Sequence, residues 1–347
     1  MGAVDRREYQ QKSSGEMPPP FTTALFGAEE VEGEPAPSLE LLGPATYRSG
    51  NGDIKLAMPN DEEFLLSELS VHRLDKVYQH LWLVGLPVPP RPLHQYAVLQ
   101  RDIVVSEKME LHLVWGSGRM FFKPIPRYLL SGRFWNTYLV CREDCDCSKG
   151  QQQRCTTKTL RSTALGFLFS YAALISHESD FDLAKDKKLL PCDGDLPKWT
   201  DWRQFVAEIL TPTVYRDIHR RFYYGELRLG RLNAIYLFLK FGYYMNQWPT
   251  YASFFRDQIG WLAAATIYVA LVLTAMQLGL LTDQLRADGP FMAASYGFSV
   301  FAIIGPLIAL FLIFLAVVAL VLINWKFARG RAAQRMNHIE NKGGMLA

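Results

Sequence analysis

The sequence is short of cysteine, with five in 347 residues, and its net charge is only +3. So small a charge gives no basis for nucleic-acid binding, and five cysteines in a chain read as facing the cytosol do not suggest a disulfide framework. Nucleotide-binding glycine loops are missing, as are a G-x-S-x-G elbow and an H-E-x-x-H metal motif. Ser176, His177 and Asp180 offer hydrolase residue types, but side by side, which is not how a triad is built. No Asn-x-Ser/Thr acceptor occurs. The first ten residues are polar, so no cleavable signal peptide is expected. Arg6 stands where myristoylation needs Ser or Thr. These absences leave no catalytic signature, no cofactor and no enzyme class.

What the chain does have is two long apolar runs near its end. Ile259 to Leu280 is free of charge over 22 positions. At ~1.5 Å per residue it spans ~33 Å, enough for a ~30 Å hydrocarbon core. Phe291 to Trp325 is also uncharged, and Gly305-Pro306 is expected to kink it. Helices satisfy their own backbone groups, so a transmembrane hairpin is expected over 246–326, with spans at about 259–280 and 298–325.

Charge sets the expected orientation. Arg216 to Arg256 carries seven cations against two anions before the first run, and Lys326, Arg329, Arg331 and Arg335 follow the second. Cationic flanks stay cytoplasmic, so both termini are expected in the cytosol. Arg228, Arg231, Lys240, Trp248, Arg256, Trp261, Trp325, Lys326 and Arg329 form the expected membrane interface, where aromatic rings meet the acyl boundary and cations meet anionic headgroups. The stretch 225–245 could equally be an ordinary core helix. Thr266, Thr274 and Gln277 are the polar residues of the first run, and small residues four apart would allow close helix contacts. They would line a pore only if several copies assembled. The runs hold no ionisable group, which favours anchoring over transport.

Upstream, 1–60 is expected to be a disordered tail, with Pro18-Pro19-Pro20 and an acidic patch. Residues 61–245 are expected to fold as an α+β domain, mostly helical with a small antiparallel sheet. An amphipathic helix is predicted over 61–82, capped by Asn60 with Glu63. The run Pro87 to Pro92 reads as a stiff connector. A hairpin is predicted around Gly116-Ser117-Gly118, and a buried helix over 159–175. Residues 327–347 read as a basic, flexible tail. Cys141, Cys145, Cys147 and Cys155 lie in a polar insertion over 141–157. Four thiolates can hold zinc, but this spacing is not that of paired knuckles, and a plain polar loop is the simpler reading.

Several stretches together resemble a family of uncharacterised fungal integral membrane proteins: Trp82 to Pro87 with Pro90 to His94, Leu111 to Trp115, Ala164 to Tyr171 with His177 to Phe181, Tyr224 to Leu229, and Phe254 to Asp257. Some members carry a subtilisin-like protease label, which the residues here do not support. The resemblance covers roughly Ser70 to Trp325 and implies no known activity. The arrangement also resembles magnesium channels of the CorA type, but Ala275-Met276-Gln277 stands where those carry Gly-Met-Asn. The expectation is a membrane-anchored cytosolic scaffold or sensor with a protein partner or a second copy. The alternative is an oligomeric ion channel or divalent-cation transporter, and the distant one a membrane-bound hydrolase.

Overall fold

The computed structural model describes residues 18–26, 42–141, 155–194, 197–240, 242–245 and 251–344; at 251–259, 261–262, 320, 323–324, 327 and 342–344 it describes the backbone alone. The chain is α+β and divides into two compact units, Met1–Gln247 and Trp248–Ala347.

The first unit opens with an antiparallel pair, β1 (Thr46–Arg48) and β2 (Ile54–Leu56), followed by α1 (Glu62–Leu69). The expected tail over 1–60 is corrected here: 18–26 and 42–60 belong partly to the fold. Phe21 packs edge-on to Trp135 and Phe205, and Thr23 Oγ1 donates to Glu208 at 2.6 Å. Isolated apolar residues such as Phe21 and Leu25 give no periodic signal, yet both are buried.

The predicted helix over 61–82 is broken. Asp61, not Asn60, caps α1 by accepting the Glu63 N–H at 2.9 Å. Ser70 is extended and its Oγ accepts the His72 N–H, which opens a fresh turn, α2 (His72–Asp75). A 3-10 turn leads to α3 (Leu81–Val84), and Gly85 closes it. A Cβ on Gly85 would lie 2.2 Å from the Glu226 carbonyl oxygen, so the close approach itself demands glycine. The proline-rich connector then leads into α4 (Leu93–Val98).

A four-stranded sheet follows, built from β3 (Asp102–Val105), β4 (Val114–Gly116), β5 (Arg119–Phe122) and, much later, β6 (Leu227–Arg228), in the order β3-β5-β4-β6. The predicted hairpin is β4–β5, antiparallel with Gly116 opposite Arg119. Its turn has two residues, Ser117 and Gly118, both with positive φ, the geometry that matches strand twist. Both flanking strands run parallel to their neighbours, so this second sheet is mixed. Parallel pairing needs a long crossover, which hairpin signals cannot announce.

The rest of the unit is helical: α5 (Gly132–Tyr138), α6 (Thr156–Leu174), α7 (Glu178–Asp186), α8 (Trp199–Ile209), α9 (Val214–Asp217) and α10 (Leu229–Lys240). The run predicted as a buried helix is α6, and Leu160, Ala164, Phe167, Leu168 and Tyr171 place it inside the main core. Gly166 lets the Phe222 ring rest on its backbone, where a Cβ would stand 2.3 Å from the ring.

The second unit holds α11 (Tyr251–Leu280), α12 (Asp283–Arg286) and α13 (Gly289–Gly344). Phe291 packs against Gly279, where a Cβ would meet its ring at 2.9 Å. The tail expected to be flexible over 327–347 is instead helical to Gly344, in one continuous α13 that has Pro306 inside it. Ala, Arg, Gln and Met are good helix formers, and an existing helix propagates into them without a new nucleus.

Candidate functional site

Among the described residues, two helices are long and apolar enough to cross a membrane, over Ala263–Leu280 and Gly289–Ala319, and both windows are largely exposed. Thr266, Thr274 and Gln277 lie on α11 and are exposed. Thr274 Oγ1 donates to the Ala270 carbonyl at 2.9 Å, so its hydroxyl is satisfied within its own helix. Gly305 and Pro306 sit half-buried on α13, and the Phe301 ring lies over Gly305. Trp325 is exposed with the Arg329 guanidinium 5.5 Å from its ring, and Lys326 is exposed beside it. Arg256 and Trp261 fall on α11 by backbone only, and Trp248 lies outside the described residues.

The approach to this unit is α10. Leu229, Leu232, Asn233 and Tyr236 bury one face in a core with Leu81, Val84 and Val114. Asn233 pins the following segment, its Oδ1 accepting the N–H of Tyr244 and of Met245 and its Nδ2 donating to the Met245 carbonyl. Two of the expected interface cations are engaged within the unit. Arg228 stacks 4.6 Å from the Trp115 ring, and Arg231 donates to the Leu83 carbonyl at 3.0 Å. Lys240 is exposed. The outer face carries Leu237, Phe238 and Leu239, with Phe238 79% exposed. The adjacent α3 segment leaves Trp82 and Leu86 exposed as well.

Of the four candidate cysteine ligands, Cys141 and Cys155 bring their Sγ atoms to 3.4 Å. Cys145 and Cys147 lie outside the described residues.

A buried serine–histidine pair exists where sequence spacing could not show it. His112 Nε2 stands 2.8 Å from Ser170 Oγ, and Ser170 donates to the Phe167 carbonyl. His112 Nδ1 accepts the Lys123 N–H, so the orienting carboxylate of a triad is replaced by a backbone donor. Burial, then the nearby Arg221 and Lys123 charges, push the imidazole pKa well below its ordinary value. Burial also lowers Arg221, to about 10. Its guanidinium donates to the His112 and Tyr224 carbonyls. This cluster is closed to substrate and works as core bracing.

A second cluster is open to solvent. It forms where the start of α4 meets the start of α7. Asp180, fully buried, accepts the His94 N–H at 2.7 Å and the His177 N–H at 3.0 Å. Its two oxygens also stand 2.8 Å from His94 Nδ1 and 3.3 Å from His177 Nδ1. The imidazoles meet edge to face, with ring centres 5.3 Å apart. Burial alone would raise the Asp180 carboxyl, but the hydrogen bonds from the His94 N–H and ring and from the His177 N–H outweigh it and hold its pKa below the usual range. The sequence shows His177 and Asp180 three residues apart, but nothing in it places His94, 86 residues from Asp180, beside them.

The chain belongs to a family of unknown function, DUF6601, whose model matches residues 61–306. That span takes in most of the first unit, all of α11 and α12, and the first part of α13. No curated protein matches the chain, and no solved structure does.

Proposed function

We propose that this protein is an integral membrane protein, anchored by α11 and α13, that presents its α+β unit to the cytosol as a scaffold or sensor for soluble partners. The observation that carries the reading is the exposure of both apolar windows, Ala263–Leu280 and Gly289–Ala319, in which Ser295 is the one buried residue among those described. At ~25 cal/mol per Å², that much apolar surface is costly in water and stable in lipid. The resemblance to fungal integral membrane proteins supports the same reading, and so do the cations before α11 and after the apolar part of α13. The outer face of α10, with exposed Phe238, Leu239 and Lys240, has the apolar and cationic make-up that a lipid-facing surface requires.

The test is topology. The protein should resist alkaline extraction, and tags at Met1 and Ala347 should both be protected from external protease in intact cells. Extraction into the soluble fraction, or digestion of either tag, would overturn the proposal. Particle mass in nanodiscs bears on the channel alternative, since a strict monomer excludes a pore built from several copies of α11.

A further inference from the structure

We propose that His94, His177 and Asp180 bind a divalent transition-metal ion of the zinc class, with coordination positions left open to water or a small ligand. One donor atom from each of the three residues lies within 4.8 Å of the other two. An ion holding such donors at ~2.1 Å keeps them at most ~4.2 Å apart, so small side-chain rotations close the site. The Asp180 carboxylate is already oriented, because backbone N–H groups of His94, Ser176 and His177 hold its oxygens. Such outer hydrogen bonds are what aim a metal ligand.

Helix capping accounts for Asp180 and for the His177 ring, which together form a capping box at the start of α7, but not for His94. In that box the Asp180 carboxylate accepts the His177 N–H and the His177 side chain accepts the N–H of Asp180, so the cap is complete within α7 itself. The cap does not require a second histidine brought from α4, with its half-exposed ring 2.8 Å from the same buried carboxylate. The His94 side chain is 40% exposed and that of His177 66%, so neither ring is there to fill a core. Two imidazoles and one carboxylate are a borderline donor set. It suits zinc, cobalt, nickel or ferrous iron, whereas magnesium and calcium favour oxygen ligands alone. Three protein donors match the ligand count of open zinc sites, not closed structural ones.

The experiment uses the full chain in detergent, stripped with chelator and titrated with Co2+ as the probe. One equivalent should bind with the visible absorption of nitrogen and oxygen ligands. His94→Ala and His177→Ala should each weaken binding at least about tenfold, while His72→Ala leaves it unchanged. His177 is exposed enough that its variant should keep the wild-type near-ultraviolet circular dichroism. Uptake below one equivalent would overturn the proposal. So would uptake equal in both histidine variants and the parent, as happens if the thiolates around Cys141 take the ion and give a sulfur charge-transfer band.

Discussion

The Arg220 guanidinium grips the Asp75 carboxylate with two nitrogens, at 2.9 and 3.0 Å, and stacks 4.3 Å from the centre of the Tyr78 ring. Residues 145 apart in the chain thereby tie the α2 turn to the segment that follows α9. His219 Nε2 stands 3.4 Å from the other side of the same carboxylate.

That clasp makes acid stability depend on Asp75. Burial would raise its carboxyl, but the hydrogen bond and charge of His219, then those of Arg220, hold it below the usual range. A depressed folded pKa adds stability that is present above the unfolded value, ~3.9, and is lost as pH falls through the folded value. Asp75→Asn should therefore cost ~1–2 kcal/mol at neutral pH, with the gap to wild type closing in acid. Thermal unfolding of the full chain in detergent across pH checks this, and a gap that widens in acid contradicts it.

Lys123 is wholly buried, with its ammonium 2.7 Å from Glu68 and 2.5 Å from the Glu107 carbonyl. Removing Glu68 leaves the buried cation only the Glu107 carbonyl and the exposed Glu107 carboxylate at 3.8 Å, at a cost of ~3 kcal/mol. Glu68→Ala should lower the melting temperature more than Lys123→Met, because methionine fills the space without a charge. The reverse order would show that Lys123 does not depend on Glu68.

At Gly85 the obstacle is backbone, the Glu226 carbonyl, which no rotamer change can relieve. Gly85→Ala should cost ~2–4 kcal/mol. Gly118→Ala is the contrast: nothing lies near its Cβ position, and only the positive φ of 74° opposes the change, for ~1 kcal/mol. Melting curves of the two variants give the ranking directly.

Cys141 and Cys155 stand close enough to join with little backbone motion. Diamide should oxidise the two thiols to one intramolecular disulfide, taking up their two electrons and two protons. Peptide mapping should find the 141–155 bond and leave exposed Cys192 alkylatable. A dominant bond from Cys141 to any other cysteine would refute the pairing.

Much of this was legible in residue order. A run free of charge from Ile259 to Leu280 reads as one long helix because nothing in it can break or solvate the pattern. Ser117-Gly118 marks a hairpin because its backbone needs positive φ, and α6 carries apolar residues on nearly every side, as an enclosed helix does. Other features were hidden. The stretch 61–82 has a continuous helical rhythm, yet Ser70 breaks it by turning extended and accepting the His72 N–H at the start of a new turn. Residues before 61 show too few apolar side chains for a pattern, while Phe21 and Tyr47 are both buried.

The sequence by itself determined the two apolar helices, their basic flanks, the hairpin and the central core helix, because local spacing, charge and turn chemistry act within a few residues. Only the tertiary structure decided that α10 buries one face and exposes Phe238, that β6 joins the sheet from 111 residues beyond its partner β4, and that His94 meets His177 at Asp180. Those meetings depend on which helix and strand faces pack together. Packing is settled by the burial of the whole core, and no window of sequence contains it.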